Sequence, residues 1–369
     1  MKVLHIVLKP RFSGAEILVK DLAVTHSSQG IAVGIAAFNP PEDDFMPIIE
    51  NLSISGVKCF LPVSPLKKTS RLLALWNWLA QFRPDIIVAH SAIPALYTRI
   101  ALFNRQMPKV ISVLHAVDDY RDWRLRLPEY ILRWKSARVV AVSDESARYY
   151  IRRFPKAHIK IIPNGIHINR FILAAQNRAK HREYFGLAGH TQIVLQVGRI
   201  TPVKQQHLSL AAIIPIMREN PNVELWFIGP IEDKSYYNAL LDKVRSFEIA
   251  ERVRFWGGQS NLELFLAVSD LLLMPSVREA SSIAFLEALA SGIPVIASDI
   301  PAFAFAEKYP GVWLVSPENT PEFGDRIQLA LAEKMRHVRD LSSYSFQRTA
   351  EQYLSLFKEV LDNEKGCVD

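Results

Sequence analysis

The sequence predicts an α/β protein with two doubly wound parallel sheets. Thirteen short apolar runs recur along the chain, with helical spacing between them. The runs are continuously apolar rather than alternating, as strands covered on both faces should be. Thirteen strands are also more than one strongly twisted sheet ordinarily holds, so the runs divide between two domains.

In the first half the runs are VLHIVL (3–8), IAVGIAAF (31–38), KCFLPV (58–63), DIIVAH (85–90), KVISVLH (109–115), RVVAVS (138–143) and IKIIPN (159–164). In the second they are IVLQVG (193–198), VELWFIG (223–229), VRFWGG (253–258), LLLMPS (271–276), PVIAS (294–298) and VWLVS (312–316). The strand rhythm breaks over Asn164–Phe185, where the basic run QNRAKHREYFG precedes a fresh strand. A first domain over 1–167, a second over 168–344 and a closing helical segment over 345–369 follow from that break and from the last helical pattern. In that pattern Tyr353, Leu354, Phe357 and Leu361 should form the apolar face, and the terminal NEKGCVD should fray. Trp76 and Trp78 lie two residues apart on one helical pattern, so one should be core and the other exposed or interfacial.

The most informative stretch is LLLMPSVREASSIAFLEALASGIPVIAS, residues 271–298. An apolar strand ends at Pro275, a loop leads into the helical SIAFLEALA with Ser281 or Ser282 as N-cap, and Gly292 and Pro294 stop the helix. The amides of Ser282 and Ile283 should point out of the helix N-terminus, where unpaired donors and the dipole suit a phosphate. Glu279 lies just before that helix and Glu287 eight residues on, so a carboxylate on each side could hold neutral hydroxyls of the same ligand.

This run, E-x7-E followed by A-x-x-x-G-x-P-V-I-A-S, resembles the retaining nucleotide-sugar glycosyltransferases of the GT-B fold, family four. The resemblance implies two Rossmann-like doubly wound domains facing across a cleft, the second holding a nucleotide sugar and the first the acceptor. It implies that Glu279 grips the donor sugar and Glu287 the ribose, with Ser281, Ser282 and Ile283 at the phosphates. Ala280 stands where the family usually has Gly.

Further motifs match in order. Ser13-Gly14-Ala15-Glu16 is similar to the family's acceptor-side loop, with Ser13 for the first Gly. His115 matches the family's histidine at the end of the fifth strand, which contacts the donor sugar; His90 ends a neighbouring strand. Pro163-Asn164-Gly165 matches the hinge motif, with His167 for the usual Asp. QVGRITPVKQQ (196–206) resembles the segment in which Gly198 admits the ligand while Arg199 and Lys204 neutralise the pyrophosphate; Gln205 replaces a Gly. The physical need is that a departing nucleotide diphosphate gains charge, which fixed cations stabilise. WFIGP (226–230) and VRFWGG (253–258) occupy two more family positions, the second at the base, with Arg254, Phe255 and Trp256 as candidates. The final helical pattern resembles the family's helix that crosses back to the first domain.

Composition narrows the rest. No apolar run approaches the ~18–20 residues that span a bilayer. The N-terminal MKVLHIVLKPRF lacks a signal-peptide pattern, and two cysteines, Cys59 and Cys367, suit a reducing cytoplasm. Residues 1–180 hold 26 Lys+Arg and 13 Asp+Glu, a net of +13, whereas the remainder holds 18 and 24, a net of −6. The basic half should meet something anionic. Residues 118–140 interleave Arg121, Arg124, Arg126, Arg133, Lys135 and Arg138 with Trp123, Leu125, Leu127, Ile131, Leu132 and Trp134. That pattern suits an anionic membrane surface or a helix packed on its own domain. No RNA-binding signature and no G-x-G-x-x-G is present, so neither nucleic acid nor nicotinamide is expected. No metal pair flanked by strand signals occurs; Asp43-Asp44 and Asp118-Asp119 read as solvated or capping.

The expectation is a metal-independent retaining glycosyltransferase without cofactor. Its donor would be a nucleotide sugar, a UDP-sugar by family frequency. Its acceptor would be a glycan or lipid-linked glycan of a bacterial surface polysaccharide or lipopolysaccharide, met at the inner face of the inner membrane. A UDP-sugar 2-epimerase of the same fold and a non-catalytic scaffold are the alternatives.

Overall fold

The computed structural model describes residues 1–362 except Gln106 and Lys156, and for Asp44 the backbone alone; the expected fraying after residue 362 and Cys367 lie outside the described residues. The chain divides into two compact units, Met1–Gly165 with the segment from Phe346 onward, and Ile166–Ser345.

The first unit begins β1 (Lys2–Val7), α1 (Gly14–Ser28), β2 (Ala32–Ala37), α2 (Met46–Ile54), β3 (Lys58–Phe60) and α3 (Lys68–Phe82). It continues β4 (Ile86–His90), α4 (Ala92–Ala101), β5 (Lys109–Leu114), α5 (Trp123–Leu132), β6 (Ser136–Ala141), α6 (Asp144–Arg153) and β7 (Ile159–Ile161). Its seven strands pair in the order β3-β2-β1-β4-β5-β6-β7, with β1 parallel to both β2 and β4.

The second unit runs α7 (Ile168–Gln176), α8 (Arg178–Tyr184), β8 (Gln192–Val197), α9 (Gln206–Glu219), β9 (Val223–Ile228), α10 (Lys234–Ser246) and β10 (Val253–Phe255). It closes with α11 (Leu262–Val268), β11 (Leu271–Met274), α12 (Ile283–Ser291), β12 (Val295–Ser298), β13 (Val312–Val315) and α13 (Thr320–Glu333). Its six strands pair in the order β10-β9-β8-β11-β12-β13.

Both sheets are parallel, and their central strands are buried from end to end; every residue of β4, β11 and β12 is buried. Continuous apolar runs are the consequence, because helices cover both faces. In each sheet the chain winds outward from one central strand and then returns to its other side. The reversal falls between β1 and β4 in the first unit and between β8 and β11 in the second. Open parallel sheets bind ligands beyond the carboxyl ends of the strands at such a reversal.

The last helix, α14 (Phe346–Asp362), belongs to the first unit. His26 of α1 lies 3.1 Å from the Ala350 carbonyl, and Glu359 pairs with Arg138 at 2.7 Å and Lys160 at 3.1 Å. Its buried stripe is Phe346, Ala350, Tyr353, Leu356, Phe357 and Val360. The expected face is therefore rotated: Leu354 and Leu361 are only part-buried, because the i, i+3, i+4 series starts from Phe346. Trp78 is buried, whereas Trp76 is exposed, although its Nε1 donates to the Ala101 carbonyl at 3.2 Å.

A buried polar network ties α4, α5 and α6 to the sheet. Arg99 pairs with Glu129 and donates to the hydroxyls of Ser136 and Ser112, both at 2.8 Å. The Tyr150 hydroxyl donates to the other Glu129 oxygen, so every charge in the network is answered.

Candidate active site

In the second unit the site grows from the strand ends at the sheet reversal. Gly198 follows β8 with φ +151°, and a Cβ there would lie 3.2 Å from Cε of Lys204. Gly229 follows β9 with φ +143°, and a Cβ there would lie 2.2 Å from the Gly198 carbonyl oxygen. Only glycine at both positions lets the two strand ends approach this closely.

Lys204 is held by its own backbone. Its carbonyl accepts from Nε2 of the buried Gln196 at 2.6 Å, and Gln196 Oε1 accepts from the Ser209 hydroxyl at 2.7 Å. The following residue, Gln205, has φ +50° and ψ +43°, a left-handed conformation that explains why glycine suits the same place. The loop after β11 is tied to this turn by the Val277 amide, which donates to the Val203 carbonyl at 3.0 Å. The side chains of Lys204 and Glu279 then form an ion pair, 14% and 12% exposed. Arg199 is not part of that pair: it bonds Glu232 in a more exposed position.

Ser282 caps α12, its hydroxyl accepting from the Phe285 amide at 3.4 Å and donating to Met274 Sδ at 3.4 Å. The amides of Ile283 and Ala284 have no acceptor within the helix and stand at its positive end. Ala280 and Ile283 are buried; Ser281 and Glu287 are part-buried. Gly292, at φ +80°, ends the helix.

The side chains of Phe255 and Trp256 pack inward. Phe255 stacks on Phe227 at 4.9 Å, and Trp256 sits among Trp226, Phe265 and Phe185 at 5.0–5.9 Å. The Trp256 amide donates to Phe227 and its carbonyl accepts from Gln259 Nε2. Arg254 is exposed and bonds Glu224.

In the first unit His115 directly follows β5. It is the outer member of a stacked series: His90 Nδ1 lies 2.8 Å from His115 Nε2, and His5 Nδ1 lies 3.0 Å from His90 Nε2. Ring centroids are 5.1 and 5.3 Å apart. Burial holds His115 down to about 4 and His5 down to about 3, the latter with help from His26. Burial, then the two neighbouring rings, lowers His90 well below the usual imidazole value. The Asp119 carboxylate accepts the amides of His115 and Ala116 at 3.0 and 3.3 Å, yet burial pushes it up to about 7. After β1, Ser13 precedes α1 and its hydroxyl donates to Glu16, while the exposed Gly14 opens the helix. Asn164 of the hinge motif is buried, and the neighbouring Pro163 carbonyl accepts from Thr349 at 2.9 Å.

The structure thus brings Gly198, Lys204 and Glu279 together in the second unit beside the α12 N-terminus, and His115 together with His90 in the first. Sequence reasoning missed Glu232 and the roles of Gln196 and His5, each of these two a polar residue inside an otherwise apolar strand. Asp119, read as solvated or capping, does cap the amides of His115 and Ala116 and is part-buried rather than solvated. Among the described residues no group of three or more His, Cys, Asp or Glu could hold a metal ion, and no helix is long and apolar enough to cross a membrane.

Residues 12–170 match the model of glycosyltransferase family 4, and residues 177–348 match that of glycosyl transferases group 1. A lipopolysaccharide 1,2-N-acetylglucosaminetransferase of Salmonella typhimurium is 27% identical over 81% of this chain and 79% of its own length. A UDP-Gal:alpha-D-GlcNAc-diphosphoundecaprenol alpha-1,3-galactosyltransferase of Escherichia coli is 23% identical over 81% of this chain and 80% of its own. Among solved structures, Anabaena HepE in complex with UDP and glucose superposes with a TM-score of 0.80 at 20% identity, covering 97% of this chain and 100% of that one. WaaG, a glycosyltransferase involved in lipopolysaccharide biosynthesis, gives 0.68 at 18% identity over 99% and 100%. These two likenesses concern the GT-B fold.

Proposed function

The chain belongs to the family 4, group 1 glycosyltransferases, and from that premise we propose that it is a retaining, metal-independent enzyme that uses a UDP-sugar. Its product would be a glycan or lipid-linked glycan of a bacterial surface polysaccharide or lipopolysaccharide. The lipopolysaccharide and undecaprenyl-diphosphate activities named for its relatives support the acceptor class, and the UDP in the HepE complex supports the nucleotide.

The observation that carries the reading is the Lys204–Glu279 pair beside the capped N-terminus of α12. A nucleotide sugar needs cations and free amides for its diphosphate and a carboxylate for its sugar hydroxyls, and these are adjacent here. In the proposed reaction the bond from the anomeric carbon to the diphosphate oxygen breaks. The acceptor oxygen bonds to the same face of that carbon, and its proton passes to the departing phosphate oxygen. Lys204 and Arg199 stabilise the charge on the leaving group, Glu279 and His115 hold the sugar, and Glu287 holds the ribose. The base is assigned to backbone groups of Phe255 and to the second lone pair of the Trp256 carbonyl, since both rings are committed to aromatic clusters and the Trp256 amide donates to Phe227. On the first unit, the Ser13-Gly14 turn and Glu16 are read as the acceptor side.

An anionic membrane would present the acceptor. Trp123, Leu127, Tyr130, Ile131 and Trp134 are each 57–64% exposed on α5 and the turn after it, among Arg121, Arg124 and Arg126. Exposed tryptophans interleaved with arginines favour an anionic lipid surface over packing within the unit. A reducing, cytoplasmic compartment at the inner membrane face is the matching location.

The test is slow release of nucleotide from a panel of nucleotide sugars in EDTA, followed by direct donor binding where no release occurs. Release or binding of one UDP-sugar, lost in Lys204→Ala and Glu279→Ala, is expected. Failure of every nucleotide sugar to bind would end the transferase reading, and a requirement for divalent metal would end the metal-independent one.

A further inference from the structure

Three imidazoles lie on three adjacent strands of the first sheet: His5 within β1, His90 at the end of β4 and His115 just past β5. They are joined in series, His5 Nδ1 to His90 Nε2 at 3.0 Å and His90 Nδ1 to His115 Nε2 at 2.8 Å. A neutral imidazole carries one N–H and one lone pair. Burial keeps all three neutral, so the two hydrogen bonds must run in the same direction. If both ran toward His90, that ring would be an imidazolate; if both ran away from it, an imidazolium.

Two arrangements remain. Either the third N–H sits on His5 Nε2, or it sits on His115 Nδ1. His5 Nε2 is buried with no hydrogen-bond partner among the described residues. A buried N–H without an acceptor is rarer and costlier than a lone pair without a donor. The proton is therefore at the other end, on the one ring of the three that is part-exposed. The groups flanking the series leave this assignment alone. Asp119 accepts from the backbone amides of His115 and Ala116, and His26 Nε2 is engaged with the Ala350 carbonyl at 3.1 Å.

We propose that His5 and His90 are positioning residues that lock His115 in its Nδ1–H tautomer, so that His115 presents a hydrogen-bond donor, and no base, to a sugar oxygen. The assignment of a sugar oxygen rests on the reading of His115 given above; the tautomer does not. The one lone pair of His115, on Nε2, is taken by the His90 N–H. His115 can therefore orient a hydroxyl but cannot remove its proton, which leaves deprotonation of the acceptor to the leaving phosphate.

The test uses the full chain labelled with 15N-histidine at pH 7.5. Two-bond 1H–15N correlation reads which ring nitrogen carries the proton, and His5→Gln, His90→Gln and His115→Gln assign the signals. Expected are three rings in the Nδ1–H pattern. His115 in the Nε2–H pattern, or averaging between tautomers, would overturn the proposal on the wild-type spectrum alone, whatever the variants do. With the donor identified, His90→Gln should return His115 to mixed tautomers. It should raise donor KM about tenfold while kcat changes little, because a binding contact rather than a transition-state contact is weakened. A purely structural role would reduce the amount of active enzyme and leave KM where it was. If His115→Gln raises KM and His90→Gln does not, positioning by His90 is refuted. If the wild-type spectrum is as expected and His115→Gln leaves KM unchanged, the sugar-contact reading of His115 fails while the tautomer assignment stands.

Discussion

The ammonium of Lys204 and the carboxylate of Glu279 answer each other across two loops, one following β8 and the other following β11. Without a donor, each neutralises a partner that would otherwise be a largely buried lone charge. On the proposed function, a bound nucleotide sugar would offer both a replacement, diphosphate for the lysine and hydroxyls for the glutamate. The pair would then be a preformed site whose charges are redistributed, rather than created, on binding.

Breaking the pair should therefore cost stability as well as turnover. Lys204→Ala and Glu279→Ala should each lower folding stability by about 1–2 kcal/mol, less than a fully buried pair would because some solvent remains. The double variant should lose clearly less than the sum, since no lone charge is left. Urea titration of the four proteins without donor measures this; additive losses would show that the pair is not coupled. Turnover in Lys204→Ala should fall by roughly 10²–10³.

The two glycines at the strand ends should differ in kind. Gly229→Ala drives a Cβ into the backbone carbonyl of Gly198, which cannot yield, so a drop in thermal midpoint is expected. Gly198→Ala shares the strain of a positive φ, but its nearest neighbours are the flexible stem of Lys204 rather than backbone. It should fold better than Gly229→Ala and weaken donor binding by displacing that lysine, as isothermal titration would detect. Equal midpoints for the two variants would contradict the geometry.

The Arg99–Glu129 pair is the most completely buried ion pair among the described residues, at 1% and 2% exposure. Glu129→Gln should cost about 3–5 kcal/mol by leaving the guanidinium uncompensated. Replacing both residues by methionine should recover much of that loss. Chemical denaturation followed by tryptophan fluorescence separates these outcomes.

Acid should destabilise the first unit. His5, His90 and His115 are held below the ordinary value of 6.5, chiefly by burial. Between about pH 6.5 and 4 the unfolded chain therefore binds more protons than the folded one, so stability rises with pH through that window and is complete above it. Asp119, raised to about 7 by burial, acts in the opposite sense, losing stability as pH rises through its folded value. Three imidazoles outweigh one carboxyl, with each unmatched proton contributing about 1.4 kcal/mol per pH unit. Urea midpoints at pH 7.5, 6 and 5 should fall in that order, and a flat series would refute the account.

Membrane association should depend on the face of α5. Changing Arg124, Arg126 and Arg133 to Glu should weaken binding to anionic vesicles by roughly a hundredfold or more, from about 1 kcal/mol per basic group. Trp123→Ala and Trp134→Ala should weaken it further, and neutral vesicles should bind the wild type poorly. Co-sedimentation that is insensitive to both charge reversal and salt would remove the membrane from the proposal.

The α/β class, the thirteen strands and their parallel pairing were legible in the sequence, because strands buried on both faces must be continuously apolar and their helical connections must be long. The turn chemistry was legible for the same local reason: Ser282 caps a helix and Gly292 ends it through interactions within a few residues. What only the tertiary structure decided is which distant groups meet. The pairing of Lys204 with Glu279 and the separate engagement of Arg199 by Glu232 depend on the order in which strands line up, as does the His5–His90–His115 series. That order places β1 beside β4 and β8 beside β11, strands far apart in the chain. The face of α14 was misjudged by the same logic: periodicity defines a stripe, but its phase is chosen by the surface the helix lands on. Local propensity is written residue by residue, whereas the proton on a histidine is set by a hydrogen bond to a ring 25 positions away and a second ring 85 positions beyond that.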